Sequence, residues 1–400
     1  MKKTWVSIPD VLFFQEGPGV RNTQYTIDGV KLLNVANLVD GKIDLSTSDR
    51  YISEKEAYGK YKHFLCDAGD FVIASSGIKV EYVDKKMGFV DESMLPLCMN
   101  TSTIRFKVLD EKQLRIRYFM YYLKSEHFKQ QLFKQITGSA QLNYGPSHLK
   151  KMIMPLIDLN DQDEIVSYMD KVQNIIEKRQ QELYRLDDLI KARFVEMFGT
   201  LDVPTHVFER ATLKELCNKI TDGKHGGCRS EEGTERYFVG AREIYDDEVH
   251  YESAPEINIE EFEKDYKRCN VEIGDFLIVN TGATIGKSAI ACDRRTKHTL
   301  LQKSVALLKV KKDVLNPIFL KWCYRVNTKM YMVESASAQP NLLLSKINAT
   351  VIYVPNIELQ NQFADFVNQV DKSKVVYMYI LKTRKYLMYN GEYREKVNCI

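Results

Sequence analysis

The sequence predicts an α+β chain built twice over: two similar strand-rich α/β domains separated by two long helices that pair antiparallel as a coiled coil, an internal pseudo-twofold repeat. Two observations carry this. A heptad seam in the middle of the chain returns, in phase, towards its end. Between the seams, short stretches rich in Gly, Asn and Pro recur in the same order in both halves, bounding brief β-like runs.

In the first seam Ile165, Met169, Val172, Ile176, Leu183, Leu186 and Ile190 advance by steps of three, four and seven. Phe363 falls over Ile165 and Leu381 over Leu183, 198 residues on in both cases, and Val367, Val370 and Met388 keep the phase. These residues, with Tyr377, are the expected helix-pairing positions. Arg179, Lys374 and Arg384 also fall on the seam, where a simple dimeric coiled coil would avoid charge, so pairing of the two helices within one chain is expected.

Residues 1–158 read as the first domain. Trp5–Leu12 leads to the loop Gln15–Asn22, where two glycines flank Pro18 and demand a turn. Val30–Val39, Phe71–Ala74 and Thr103–Val108 are β-like, and Arg115–Lys134 has helical apolar spacing. The loop Gly138–Pro146 and an edge-strand segment broken by Pro155 lead to the first long helix, 159–199. Residues 200–357 repeat the order. Asp222–Gly227 is the glycine-rich loop, and Gly274–Ile278 answers Gly69–Ile73. Ser304–Val310 answers Thr103–Val108, while Phe319 and Trp322 answer Phe119 and Tyr122. Ser337–Asn341 answers Ser139–Asn143, and Val354–Pro355 answers Met154–Pro155. The second long helix occupies 358–400.

With 400 residues, 44% of them hydrophobic and 28% charged, the chain can bury two or three cores. A net charge of +3 makes no general electrostatic claim on nucleic acid, so any such binding must come from local patches. The eight cysteines are scattered without a Cys-x-x-Cys pair, which fits reduced, mostly buried thiols better than disulfides or zinc. Pro9 and Asp10 interrupt the first apolar run, and no stretch approaches a membrane span, so a soluble cytoplasmic protein with no membrane partner is expected.

The most tempting catalytic motif is Gly282-Ala283-Thr284-Ile285-Gly286-Lys287-Ser288. A phosphate loop needs four residues between its glycines and a long helix after it; here there are three, followed by a short β-like run. Asn316-Pro317-Ile318-Phe319 lacks the second proline of a base methyltransferase motif, and Pro317 suits the first turn of a helix. No acidic pair followed by Lys suggests a nuclease, and the seven histidines show no metal-binding spacing. The chain is therefore expected to hold no catalytic residue, metal or cofactor of its own. A nucleotide-hydrolysing enzyme using the Gly282–Ser288 loop and a protein-binding scaffold are the alternatives.

The polar loops offer more. Gln15, Arg21, Asn22 and Gln24 occupy the first glycine-rich turn, and Lys224, His225 and Arg229 the second. Ser76 and Lys79 with Gln141 and Asn143, and Thr281 and Lys287 with Gln339 and Asn341, sit in further corresponding loops. Arg, Lys, Asn and Gln read base edges, so these are the candidate DNA-contacting residues. Each alone reads more readily as solvated surface; recurrence in both halves carries the expectation. A helix of roughly 35 residues, about 50 Å long, compares with about 15 base pairs of duplex.

As a whole this layout resembles the DNA-specificity (S) subunits of Type I restriction-modification systems. The resemblance rests on Glu16-Gly17-Pro18-Gly19, on Gly274–Ile278 continuing to Thr281–Lys287, on the paired loops Ala140–Ser147 and Ala338–Ser345, and on Pro155 with Gln162 and Pro355 with Gln360. In the first half Ser75-Ser76-Gly77-Ile78-Lys79 replaces the Gly-Ala-Thr-Ile-Gly-Lys stretch. The resemblance implies a non-catalytic subunit whose two target-recognition domains each read half of a bipartite site in double-stranded DNA. The helices would set the spacing and dock two methyltransferase (M) subunits, with restriction (R) subunits completing the complex. S-adenosylmethionine, ATP and Mg²⁺ would be bound by those partners.

Overall fold

Runs of β-branched, aromatic and aliphatic residues account for the central strands of the two four-stranded sheets. The computed structural model describes residues 3–135, 142–331 and 341–390, without the side chains of 78, 142, 143 and 375–390. It divides into one unit built on Met1–Lys178 and another comprising Arg179–Ile380.

In the first unit an antiparallel sheet runs in the order Leu12–Glu16, Thr103–Val108, Phe71–Ala74, Met87–Phe89. Phe71–Ala74 is an unbroken apolar run, buried at every position, because it is covered on both faces. On one side Phe119, from the helix Ile116–Leu123, packs its ring on Phe106 at 5.0 Å and meets Phe71 edge-on. Leu97–Met99 pairs in parallel with Val30–Leu33, and Thr4–Ser7 pairs antiparallel with Ile153–Leu156.

The second unit repeats this topology with different side chains. Its sheet order is Cys217–Asp222, Val305–Val310, Phe276–Val279, Ser288–Ile290. Tyr237–Val239 pairs in parallel with Thr299–Leu301, and Glu209–Thr212 antiparallel with Val351–Val354. Pro317 stands in the first turn of the helix Pro317–Val326, capped by the Asn316 side chain, which accepts from the Ile318 N–H.

The recurring Gly-Asp pair is a turn with the same polar wiring in both units. Gly69 and Gly274 lie at φ +87° and +94°, and the following aspartates accept the N–H of Asp67 at 2.9 Å and of Glu272 at 2.8 Å. Lys107 then bridges Asp67 and Asp70, and Lys309 bridges Glu272 and Asp275. The first unit adds Arg105, buried against Asp70.

The long helices run Leu159–Phe198 and Ile357–Asn390. Each begins with a wholly buried glutamine. Gln162 accepts the Arg115 N–H and donates to the carbonyls of Gln113 and Ile157. Gln360 does the same with Asn316, Val314 and Pro355.

The seam positions divide by location. Ile165 is buried in the core of the first domain and Met169 packs against that core, because the helix leaves the sheet directly after Ile153–Leu156. Val172 is buried, Ile176 and Leu183 half-buried. Ion pairs from Arg115 to Asp163 and Arg117 to Asp170 tie this first part of the helix to its domain. In the second unit Leu186 and Ile190 join Phe194, Phe198, Phe363, Val367 and Val370 in one core. Phe194 lies 5.3 Å from Phe363, and Lys374 reaches Asp187 at 2.7 Å. Residues later in one helix thus meet residues earlier in the other, which makes this pairing antiparallel. The seam cation Lys374 is held there by Asp187 and Asp371, and Arg179 pairs with Glu182 within its own helix. The side chains of Tyr377, Leu381 and Met388 lie outside the described residues.

Candidate nucleic-acid interface

Each domain carries a loop that leaves the sheet at a glycine no other residue could replace. A Cβ on Gly17 would lie 2.0 Å from the Asn100 carbonyl oxygen, and one on Gly223 would lie 2.1 Å from that of Leu301. The backbone is thereby pressed onto the neighbouring strand end, and the residues that follow swing outward.

In the first domain Arg21 and Asn22 form the exposed tip of this loop. Gln15 lies below it, accepting from the Arg105 guanidinium at 2.8 Å. Gln24 is half-buried and fully engaged: its amide donates to Glu56 at 2.7 Å and to the Tyr61 hydroxyl, and its oxygen accepts the Arg21 N–H. In the second domain His225 and Arg229 are exposed, His225 lying 3.2 Å from Asp222. Lys224 is paired with Asp265 at 2.7 Å and with Glu261 at 3.6 Å. Its hydrogen bond to Asp265 raises its pKa, so it stays a cation.

The second pair of loops meets in both domains. Ser76–Ile78 pairs with Leu142–Asn143, placing Ser76 opposite Asn143, and Thr281 bridges Asn341 with a 3.3 Å side-chain hydrogen bond. Ser75 and Asn280 hold the adjoining backbone: the Ser75 carbonyl accepts from Tyr144 and that of Asn280 from Leu342. Lys79 and Lys287 are exposed beside these pairings. Gln141 and Gln339 lie outside the described residues, as does the side chain of Asn143.

The Gly282–Ser288 stretch is a hairpin. Phe276–Val279 turns back antiparallel onto Ser288–Ile290, with Gly282 at φ +96°, Gly286 at φ +91°, and hydrogen bonds in both directions between Val279 and the 286–287 backbone. No helix follows the glycines, so the backbone N–H cradle and dipole of a phosphate loop are missing.

Sequence reasoning missed a basic-aromatic group beside the first loop. Arg50 lies over Tyr25 at 5.3 Å, Lys31 over Tyr51 at 5.2 Å and Lys60 over Tyr61 at 4.9 Å. The signal was present as Tyr/Lys/Arg interleaving, but Lys31 and Tyr51, and Arg50 and Tyr25, are 20 and 25 residues apart and only the fold joins them. Among the described residues no cluster of His, Cys, Asp or Glu is set to hold a metal, and no helix is long and apolar enough to cross a membrane. Burial pushes the thiols of Cys66, Cys98, Cys217 and Cys323 up to about 12, so they are poor nucleophiles.

Comparison with known proteins gives one family. The Type I restriction modification DNA specificity domain matches twice, over residues 31–185 and 207–376. A curated relative, the Type I restriction enzyme MjaVIII specificity subunit of Methanocaldococcus jannaschii, is 26% identical over 186 residues; the match covers 46% of this chain and 42% of that protein, less than half its length. One solved structure, from work on "complex assembly" and "conformational transition of the type I R-M system", aligns over 99% of this chain and 96% of its own with a TM-score of 0.52 at 16% identity, a likeness of fold. Another, the Type-I restriction-modification system S subunit from M. genitalium, aligns over 96% and 94% with a TM-score of 0.49 at 15% identity.

Proposed function

The chain belongs to the Type I restriction-modification DNA specificity family, and from that premise we propose that it is the sequence-reading subunit of such a system. The observation that carries this is the repeated loop geometry: each domain presents a glycine-anchored loop and a second pair of joined loops, with exposed polar side chains such as Arg21, Lys79, Arg229 and Lys287, from the same places in the same topology. Two equivalent readers in one chain suit a bipartite site in double-stranded DNA. Each domain, 1–158 and 200–357, reads one half, and the long helices Leu159–Phe198 and Ile357–Asn390 set the spacing.

The chain itself is a non-catalytic adaptor in this reading. Methyl transfer belongs to two methyltransferase (M) subunits carrying S-adenosylmethionine, and cleavage to restriction (R) subunits using ATP and Mg²⁺. The hairpin form of the Gly282–Ser288 loop supports this over a nucleotide-binding enzyme. The test is a map of methylated adenines in DNA of the source cell with the chain present and deleted. Loss of one split motif on deletion is the expected result. An unchanged map overturns the reading.

A further inference from the structure

We propose that Glu56 and Glu261 are positioning residues that clamp the far ends of the two glycine-anchored loops. The proposal rests on reading those loops as DNA-contacting. The two glutamates stand 205 residues apart, the same offset as Tyr61 and Tyr266 and as the Gly69 and Gly274 turns. Each is the third residue of a short helix, Glu54–Tyr58 or Ile259–Tyr266, and its N–H is capped by the side chain of Ser53 or Asn258. A glutamate at that position ordinarily reaches back to the N–H of the cap residue. Here both turn to the loop instead: Glu56 takes the Gln24 amide at 2.7 Å, and Glu261 takes the Arg229 N–H at 3.2 Å with Lys224 nearby at 3.6 Å.

A carboxylate beside a surface that meets phosphate is electrostatically unfavourable. Its presence at the same point of both domains therefore has a geometric reason. Gly17 or Gly223 anchors the near end of each loop and the glutamate the far end, so Arg21 and Asn22, or His225 and Arg229, project from a span held at both ends. Glu56 and Glu261 act on DNA only through these residues.

The test uses the full chain co-purified with the methyltransferase subunits of its source cell, a random-sequence duplex library, and sequencing of the bound fraction. Glu56→Gln is expected to weaken base preference about tenfold in one half of the enriched motif. Glu261→Gln does so in the other half, with spacer length unchanged. Gln24→Ala, which removes the loop-side partner and leaves the helix intact, gives the same half-site defect as Glu56→Gln, and stands in for it if that variant unfolds. An unchanged motif in the variants, or equal loss from both halves, overturns the proposal. A wild-type complex that enriches no motif overturns the function proposed above instead.

Discussion

Gln162 and Gln360 occupy the same place in the two domains and make the same three hydrogen bonds, each joining the start of a long helix to the loop before a core helix. Both are fully buried, and their bonds to the Ile157 and Pro355 carbonyls are buried as well, so losing these leaves a buried backbone group without its partner. Gln360→Ala is expected to destabilise the second unit by about 2–4 kcal/mol, measured by urea unfolding. Gln162→Ala should cost the first unit a similar amount.

Phe194 packs between Phe319 and Phe363, with ring centroids 5.5 and 5.3 Å away, and so joins both long helices to the second domain. Phe194→Ala should cost about 3–5 kcal/mol. The readout is the denaturation midpoint of the full chain, which should fall without a change in far-ultraviolet circular dichroism at low denaturant.

Acid should loosen the first domain. The hydrogen bond from Lys107 to Asp67 holds that carboxyl below the usual range. Burial alone would raise Asp170, but hydrogen bonds from Arg117 and Tyr121 outweigh it and its pKa is also lowered. A carboxylate depressed in the folded state contributes stability that is fully present above its unfolded value of about 3.9 and is lost as pH falls through the folded value. Denaturation midpoints should therefore fall as pH drops below about 4. Asp170→Asn and Asp67→Asn should each flatten part of that fall.

Gly286 sits at φ +91°, and a Cβ there would lie 2.4 Å from the Tyr331 ring. Gly286→Ala should destabilise the second unit by at least about 1 kcal/mol, seen as a lower melting temperature. Gly227 has open space around it, so Gly227→Ala should stay within about 0.5 kcal/mol of wild type. Equal effects at the two positions would contradict the strained hairpin.

Much of the architecture was legible because duplication repeats backbone demands. The Gly-Asp pairs each mark a turn, and the Pro-then-Gln helix entries a buried hydrogen-bonding point, that both domains need, and they recur although the packed side chains have diverged. The hydrophobic seam was legible as a period but not as a partner. Ile165 and Met169 share the phase of Ile190, yet they pack into the first domain while Ile190 lies among the aromatic rings of the second. The candidate contact residues were legible as types. Gln24 and Lys224 read in sequence as free polar groups, whereas the fold sets each against the glutamate of a helix more than 30 residues away.

The sequence by itself determined the twofold layout, the long helices and the want of a phosphate-loop pattern, since these depend on periodicity, spacing and local backbone preference. Tertiary structure alone decided which seam residues meet which core, which loop residues stay exposed, and that Glu56 and Glu261 hold the loops. Those outcomes depend on through-space contacts between segments distant in the chain, and pairwise distance is not encoded in any local pattern of residues.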